Sequence, residues 1–213
     1  IARDIELLRD TGCAYHVCHI STKESVELIR NAKKEGLNIT CETGPHYLTM
    51  DDSDLQEDGR FKMNPPLRAE EDRMAVIKGL QDDTLTIIAT DHAPHTYTAK
   101  QVEFDYAPFG IVGLETAIPV TMTELVHKGY LTLPHLIEKF TKGPAELLNL
   151  PIGSITTGRA ADITVIDPDL EHTIDVNSFY SKSRNTPFHG YRAKGCTIAT
   201  FVNGLCVFSK LDY

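Results

Sequence analysis

The stretch that decides the fold is Leu85-Thr-Ile-Ile-Ala-Thr90 running into Asp91-His-Ala-Pro-His95. An apolar, β-branched run opens into a loop that carries an acid and two imidazoles. In an α/β barrel the C-terminal strand ends are where catalytic groups gather. An aspartate at such an end can ligate a hard or borderline metal and can also take a proton from an attacking water. Taken alone, Asp-His-x-x-His reads equally well as an Asx-type turn with two solvated histidines, so the other segments must decide.

The chain has 213 residues, 41% hydrophobic and 24% charged, which suits one large domain or two small ones. A formal charge of -9 leaves no basic patch to neutralise phosphates, which argues against nucleic acid or an anionic membrane surface as partner. No apolar run approaches the roughly 20 residues that span a bilayer. Cys13, Cys18, Cys41, Cys196 and Cys206 form no C-x-x-C pair and are odd in number, so a reduced, cytoplasmic setting is expected. Ile1, Ile5 and Leu8 recur at helical spacing from the first residue, without an initiator Met or a signal peptide. The chain therefore reads as the C-terminal portion of a longer polypeptide.

Strands and helices alternate along the first 150 residues. Residues 1–10 read as a helix and Ala14 to Ile20 as a buried strand. Ser21-Thr-Lys-Glu24 reads as a capping box opening a helix to Lys34, with Gly36 as its left-handed stop. Leu37 to Glu42 is a strand leading into a loop through Pro45 and His46. Met63-Asn-Pro-Pro-Leu-Arg68 is a loop, Glu70 to Leu80 an amphipathic helix, and Leu85 to Thr90 a strand. Helices follow at Leu114 to Lys128, Leu133 to Thr141 and Pro144 to Leu148. From Pro151 onward glycines punctuate short β-type runs at Asp162 to Ile166, Thr197 to Val202 and Leu205 to Phe208. The class is α/β, with parallel βα units over 1–150 and a separate small β unit over 151–213.

In Tyr15-His-Val-Cys-His-Ile20 the two histidines are three apart, so regular strand alternation points them to opposite faces. His19, at the strand end, is the candidate ligand; His16 is expected to pack against the helix layer. By the same alternation Asp91 faces inward if His92 faces the helices, and His95 follows Pro94 in the loop. Cys18 reads as a small buried residue. One His and one Asp make half a metal site, because zinc takes three or four protein ligands.

Read in order, His16-Val-Cys-His-Ile-Ser21, Glu42-Thr-Gly-Pro-His-Tyr-Leu48, Lys62-Met-Asn-Pro-Pro-Leu-Arg68, Ala89-Thr-Asp-His-Ala-Pro-His95 and Pro108-Phe-Gly-Ile-Val-Gly-Leu-Glu115 resemble the amidohydrolase superfamily. Within it, they resemble the dihydroorotases of the long, hydantoinase-related bacterial type. Gly153 to Pro168 and Asn185-Thr-Pro-Phe-His-Gly190 resemble that family's C-terminal β-sandwich segment. The resemblance implies the last part of a (β/α)8 TIM-type barrel, strands six to eight, plus part of a small β-sandwich. It implies that His19 is the zinc-ligating histidine ending strand six, and that Asp91, ending strand eight, binds zinc and acts as general base and acid. Asn64 and His95 would hold the substrate's ring and carboxylate, and the backbone of Phe109 and Gly110 would contact the substrate. His46 and His92, inside the motifs, would support or pack rather than ligate.

The family's remaining zinc ligands and its substrate-binding arginine have no counterpart in this chain and would lie upstream of Ile1. One or two Zn2+ ions are implied. So is reversible hydrolysis of (S)-dihydroorotate to N-carbamoyl-L-aspartate in pyrimidine synthesis. A homodimer is expected, with aspartate carbamoyltransferase as a further candidate partner. The rivals are a hydantoinase or allantoinase, and a metal-free homologue serving as a structural partner of the carbamoyltransferase. Hydantoinases of this type carry Ser where Asn64 stands, and Ala-Pro-His95 favours dihydroorotase.

Overall fold

The structure, a computed structural model, describes residues 1–211. Its first part winds three short strands and their helices into a parallel layer. Helix α1 (Ala2–Thr11) buries Ile5 and Leu8 and stops where Gly12, at φ 65, turns its N–H back to Leu8 O. Then follow β1 (Tyr15–Val17), α2 (Lys23–Lys34), β2 (Ile39–Thr43), the single turn α3 (His46–Thr49), α4 (Glu70–Gln81) and β3 (Ile87–Ile88). The strands pair in parallel in the order β1-β2-β3, with His16 opposite Thr40 and Glu42 opposite Ile87.

Alternation along β2 sorts its residues. Ile39, Cys41 and Thr43 are buried, while Thr40 and Glu42 on the other face are only partly covered. The buried face meets Val26 and Ile29 of α2 and Val76, Ile77 and Leu80 of α4 in one apolar cluster. Each such fully buried aliphatic side chain contributes about 1.5–3 kcal/mol, so this layer holds the strands and leaves their other face to Thr40 and Glu42.

Three local expectations are corrected. The cap of α2 is Thr22, whose extended backbone lets Oγ1 accept from Ser25 N at 3.2 Å; it is not a Ser21–Glu24 box. The segment after Pro45 is helical rather than loop, since Tyr47 and Leu48 fold into the core as α3. The helix expected from Leu114 begins only at Ala117, after a turn over 114–116; the segment before it holds a four-residue helix, α5 (Tyr97–Lys100). The expected helix runs as α6 (Ala117–Thr121) and passes into a π-type turn over Met122–Val126, closed by His127 N donating to Met122 O at 3.0 Å. Thr121 and Thr123 hydroxyls donate to the carbonyls of Ala117 and Pro119, competing with the regular ladder there. Helices α7 (Leu133–Phe140) and α8 (Lys142–Leu147) complete this part.

The second part is an antiparallel sheet, β4 (Ile163–Thr173), β5 (Arg192–Val202) and β6 (Leu205–Ser209), in that order. Asn203-Gly204, both at positive φ, turn β5 into β6 as a two-residue hairpin demands. The expected β segment ran to 213; positions 212 and 213 lie outside the described residues. This sheet is not free-standing: Ile174, Phe188 and Ala193 share an apolar cluster with Tyr47, Phe61, Met63, Ile111 and Val120. Lys194 N donates to Thr123 Oγ1 at 2.8 Å, and Tyr191 OH donates to Glu124 Oε1.

Candidate metal and substrate site

The C-terminal end of the parallel layer is organised by the last two residues of β2. Thr43 Oγ1 donates to Ile20 O at 2.7 Å, and Thr43 O accepts from Ala89 N at 2.9 Å, so one residue fixes the exits of both β1 and β3. Each exit then turns through left-handed backbone, His19 at φ 57 and Asp91 at φ 47. These turns bring His19 Nε2 to 3.6 Å from Asp91 Oδ1, with Glu42 Oε1 3.4 Å from His19 Nδ1. Burial pushes the Asp91 carboxyl above its ordinary value; His19 opposes that shift and Glu42 adds to it.

His16 does not pack against the helices. It faces the same side as Glu42, with Nε2 3.3 Å from Glu42 Oε2 and Nδ1 2.8 Å from Thr40 Oγ1. Alternation misplaced it because the strand ends at Val17 and His19 lies beyond, in a left-handed turn that reverses its direction. Both histidines therefore reach one carboxylate, and Glu42 is a site residue that the sequence reading missed. Its signal was the half-covered alternate position on β2. His16, Cys18 and Glu42 also form a donor set, with ligand atoms within 4.8 Å of one another. Cys18 is exposed rather than buried, and its thiol is held up by partial desolvation and by Glu42.

The donor set suits a metal. His19 Nε2 lies 3.6 Å from Asp91 Oδ1, and an imidazole beside a carboxylate is the chemistry zinc selects; among the described residues His19 Nδ1 and His46 Nε2 are buried nitrogens without a hydrogen-bond partner. His46 is buried, its ring 4.0 Å from that of Tyr47, and burial with the nearby His19 drops its pKa to about 3. It is a neutral neighbour of the site. His92 Nδ1 accepts from Gly113 N at 3.1 Å and Leu114 N at 3.3 Å, bracing the approach to α6.

The remaining expected site residues lie on loops tied to one another. His95 Nε2 donates to Phe109 O at 2.8 Å. A carbonyl only accepts, so Nε2 carries the proton, and Nδ1 can donate to an anion only from the imidazolium. Gly110, at φ 105, donates its N–H to Lys62 O at 2.9 Å. Its carbonyl accepts from the buried Lys100 Nζ at 2.8 Å, an ammonium whose pKa burial lowers to about 8. Among the described residues nothing accepts from Phe109 N–H, the donor left in this turn. Lys62 Nζ sits 4.9 Å over the Phe109 ring, a cation–π contact that places positive charge beside the loop. Asn64 is exposed between Lys62 and Pro65, whose carbonyl accepts from Tyr47 OH at 2.6 Å. Lys100, Ser183 and Asn185, which the sequence reading assigned no role, bind directly to these loops.

A dihydroorotase of Geobacillus sp. (strain WCH70) is 53% identical over 211 residues, 99% of this chain and 49% of its own length. A dihydroorotase of Bacillus subtilis (strain 168) is 50% identical over 211 residues, again 99% of this chain and 49% of its own. Among solved structures, the L-hydantoinase (dihydropyrimidinase) of Arthrobacter aurescens matches with a TM-score of 0.93 at 32% identity, covering 99% of this chain and 48% of that one. A dihydropyrimidinase from Brevibacillus agri NCHU1002 matches with a TM-score of 0.91 at 26% identity, covering 98% and 47%. The chain spans about half the length of the curated relatives it matches. The pattern of the amidohydrolase family runs through residues 2–207, and the chain belongs to that family.

Proposed function

We propose that the chain is the C-terminal part of a dihydroorotase. Residues 1–150 would supply strands six to eight of a (β/α)8 barrel as β1–β3, and residues 151–213 part of a small β-sandwich. The reaction is reversible hydrolysis of the cyclic amide of (S)-dihydroorotate to N-carbamoyl-L-aspartate. The observation that carries the reading is the approach of His19 and Asp91 to 3.6 Å, from strand exits locked by one threonine. Barrel enzymes place their catalytic groups at such exits.

His19 and Asp91 would hold Zn2+, together with ligands from upstream sequence. When bound, the ion supplies a Lewis acid that polarises the amide carbonyl and makes water a better nucleophile near neutral pH. The chain's own residues do the rest. In hydrolysis Asp91 takes the proton of the attacking water and returns it to the ring nitrogen as the C–N bond breaks; in cyclisation the same proton travels back. Asn64, His95 and the Phe109 N–H orient the substrate, offsetting an overall charge of -9 that is unfavourable to anions.

A hydantoinase is the rival the structural likeness raises. The dihydroorotase relatives at 50–53% identity, together with Asn64 and His95, favour dihydroorotate. The test is kcat/KM of the zinc-loaded full-length protein for (S)-dihydroorotate against hydantoin and dihydrouracil. We expect dihydroorotate to be preferred by about 100-fold or more, because a site with polar groups placed for a carboxylate rejects substrates lacking one. Faster turnover of hydantoin, or absence of zinc and of all three activities, overturns the reading.

A further inference from the structure

Ser183 and Asn185 lie in the segment between β4 and β5, far along the chain from the residues discussed above, and both are 6% exposed. Asn185 Nδ2 donates to Ala93 O at 3.2 Å and to Gly110 O at 3.1 Å, so its two protons go to two different loops. Its Oδ1 accepts from His95 N at 3.3 Å, and its backbone carbonyl accepts from Val112 N at 3.0 Å. Ser183 Oγ donates to His95 O at 2.7 Å and also lies against Asn185 Oδ1. Every polar atom of the Asn185 side chain is thereby used, which sets its amide orientation. Gly110 O is held from its other side by Lys100 Nζ.

We propose that Ser183 and Asn185 are positioning residues that clamp the His95 loop to the Phe109–Gly110 loop and so fix the gap into which an anionic substrate fits. This rests on the reading of His95, Phe109 and Gly110 as substrate contacts. The clamp acts on backbone groups only, so no substitution in the two loops reproduces it. None of its hydrogen bonds reaches the side chain of His19 or Asp91. Its loss should therefore loosen substrate binding and leave the His19–Asp91 pair alone. A misplacement of about 1 Å in such contacts is enough for large losses.

The test uses the zinc-loaded full-length protein and the variants Asn185→Asp, Asn185→Ala and Ser183→Ala. Asn185→Asp keeps the shape but turns an acceptor toward the carbonyls of Ala93 and Gly110. We expect KM for dihydroorotate to rise about tenfold or more, with kcat within about threefold of wild type and zinc content unchanged. Hydrogen–deuterium exchange should quicken in peptides covering 91–95 and 108–112. In a His95→Ala background the Asn185→Ala effect on KM should shrink below about twofold, since residues acting through one another are not additive. Unchanged KM, a fall in kcat and zinc at constant KM, or an undiminished effect without His95 overturns the proposal. Should Asn185 variants fail to fold, Ser183→Ala carries the same readings. If the wild-type protein proves inactive on dihydroorotate, the functional reading fails. Faster exchange in both loops would then still support the clamp, and unchanged exchange would overturn it.

Discussion

The His19 ring stands between two carboxylates, Nε2 3.6 Å from Asp91 Oδ1 and Nδ1 3.4 Å from Glu42 Oε1, and His19 and Asp91 both hold left-handed backbone at φ 57 and φ 47. For non-glycine residues that conformation costs about 1–2 kcal/mol each. Two such residues at the exits of strands held by the same Thr43 mark a place where local strain is tolerated to aim side chains.

Asp91→Asn in the full-length protein should lower kcat at least about 1000-fold while the fold survives. An amide can neither take the proton nor match the carboxylate's charge. Turnover and zinc content together check this, and retention of more than about a tenth of wild-type turnover contradicts the assignment.

Asn64→Ala and His95→Ala should keep wild-type zinc content, with kcat/KM for dihydroorotate reduced by about 1–3 kcal/mol per lost hydrogen bond to a charged group. The division of roles rests on the resemblance, which makes His19 and Asp91 the ligands and Asn64 and His95 substrate contacts, and on His95 Nε2 being engaged by Phe109 O. Zinc loss in either variant would show that the division is wrong.

His46 makes stability depend on pH. Its folded value of about 3 lies below the ordinary 6.5, so the unfolded chain binds the proton first. Its contribution is complete above about pH 6.5 and is lost as pH falls from there toward 3. Thermal midpoints measured from pH 7 to 4 should fall less steeply for His46→Gln than for wild type. Identical slopes would mean that His46 is not buried in its neutral form.

Gly143 packs against the backbone entering β3, where an added Cβ would lie 2.2 Å from Thr86 O. Gly143→Ala should destabilise the protein by about 1–3 kcal/mol through overpacking. A urea midpoint equal to wild type would contradict this packing.

The sequence was most legible where one signal dominated. The span of α2 followed from a capping signal and Gly36, although the cap is Thr22; α4 followed from its amphipathic pattern, and the break between β5 and β6 from a punctuating glycine. His19 and Asp91 were found through motif resemblance and sit together, yet the alternation argument used beside it failed for His16. Period-two reasoning needs a strand, and β1 ends at Val17 before the turn that re-aims His19. Glu42 was missed because an acid on a half-covered strand face looks solvated until two histidines are found beside it. Asn185 stood inside a recognised motif without a role, since its partners Ala93, His95 and Gly110 are 75 to 92 residues away in sequence. Such contacts have no local signature.

The most direct test is anomalous diffraction at the zinc edge from crystals of the zinc-loaded full-length protein. The account predicts a zinc peak about 2.0–2.2 Å from His19 Nε2 and from an Asp91 carboxylate oxygen, with Glu42 close to His19 Nδ1 but not bonded to the ion. Zinc seated instead on His16, Cys18 and Glu42, with His19 and Asp91 unbound, would contradict it.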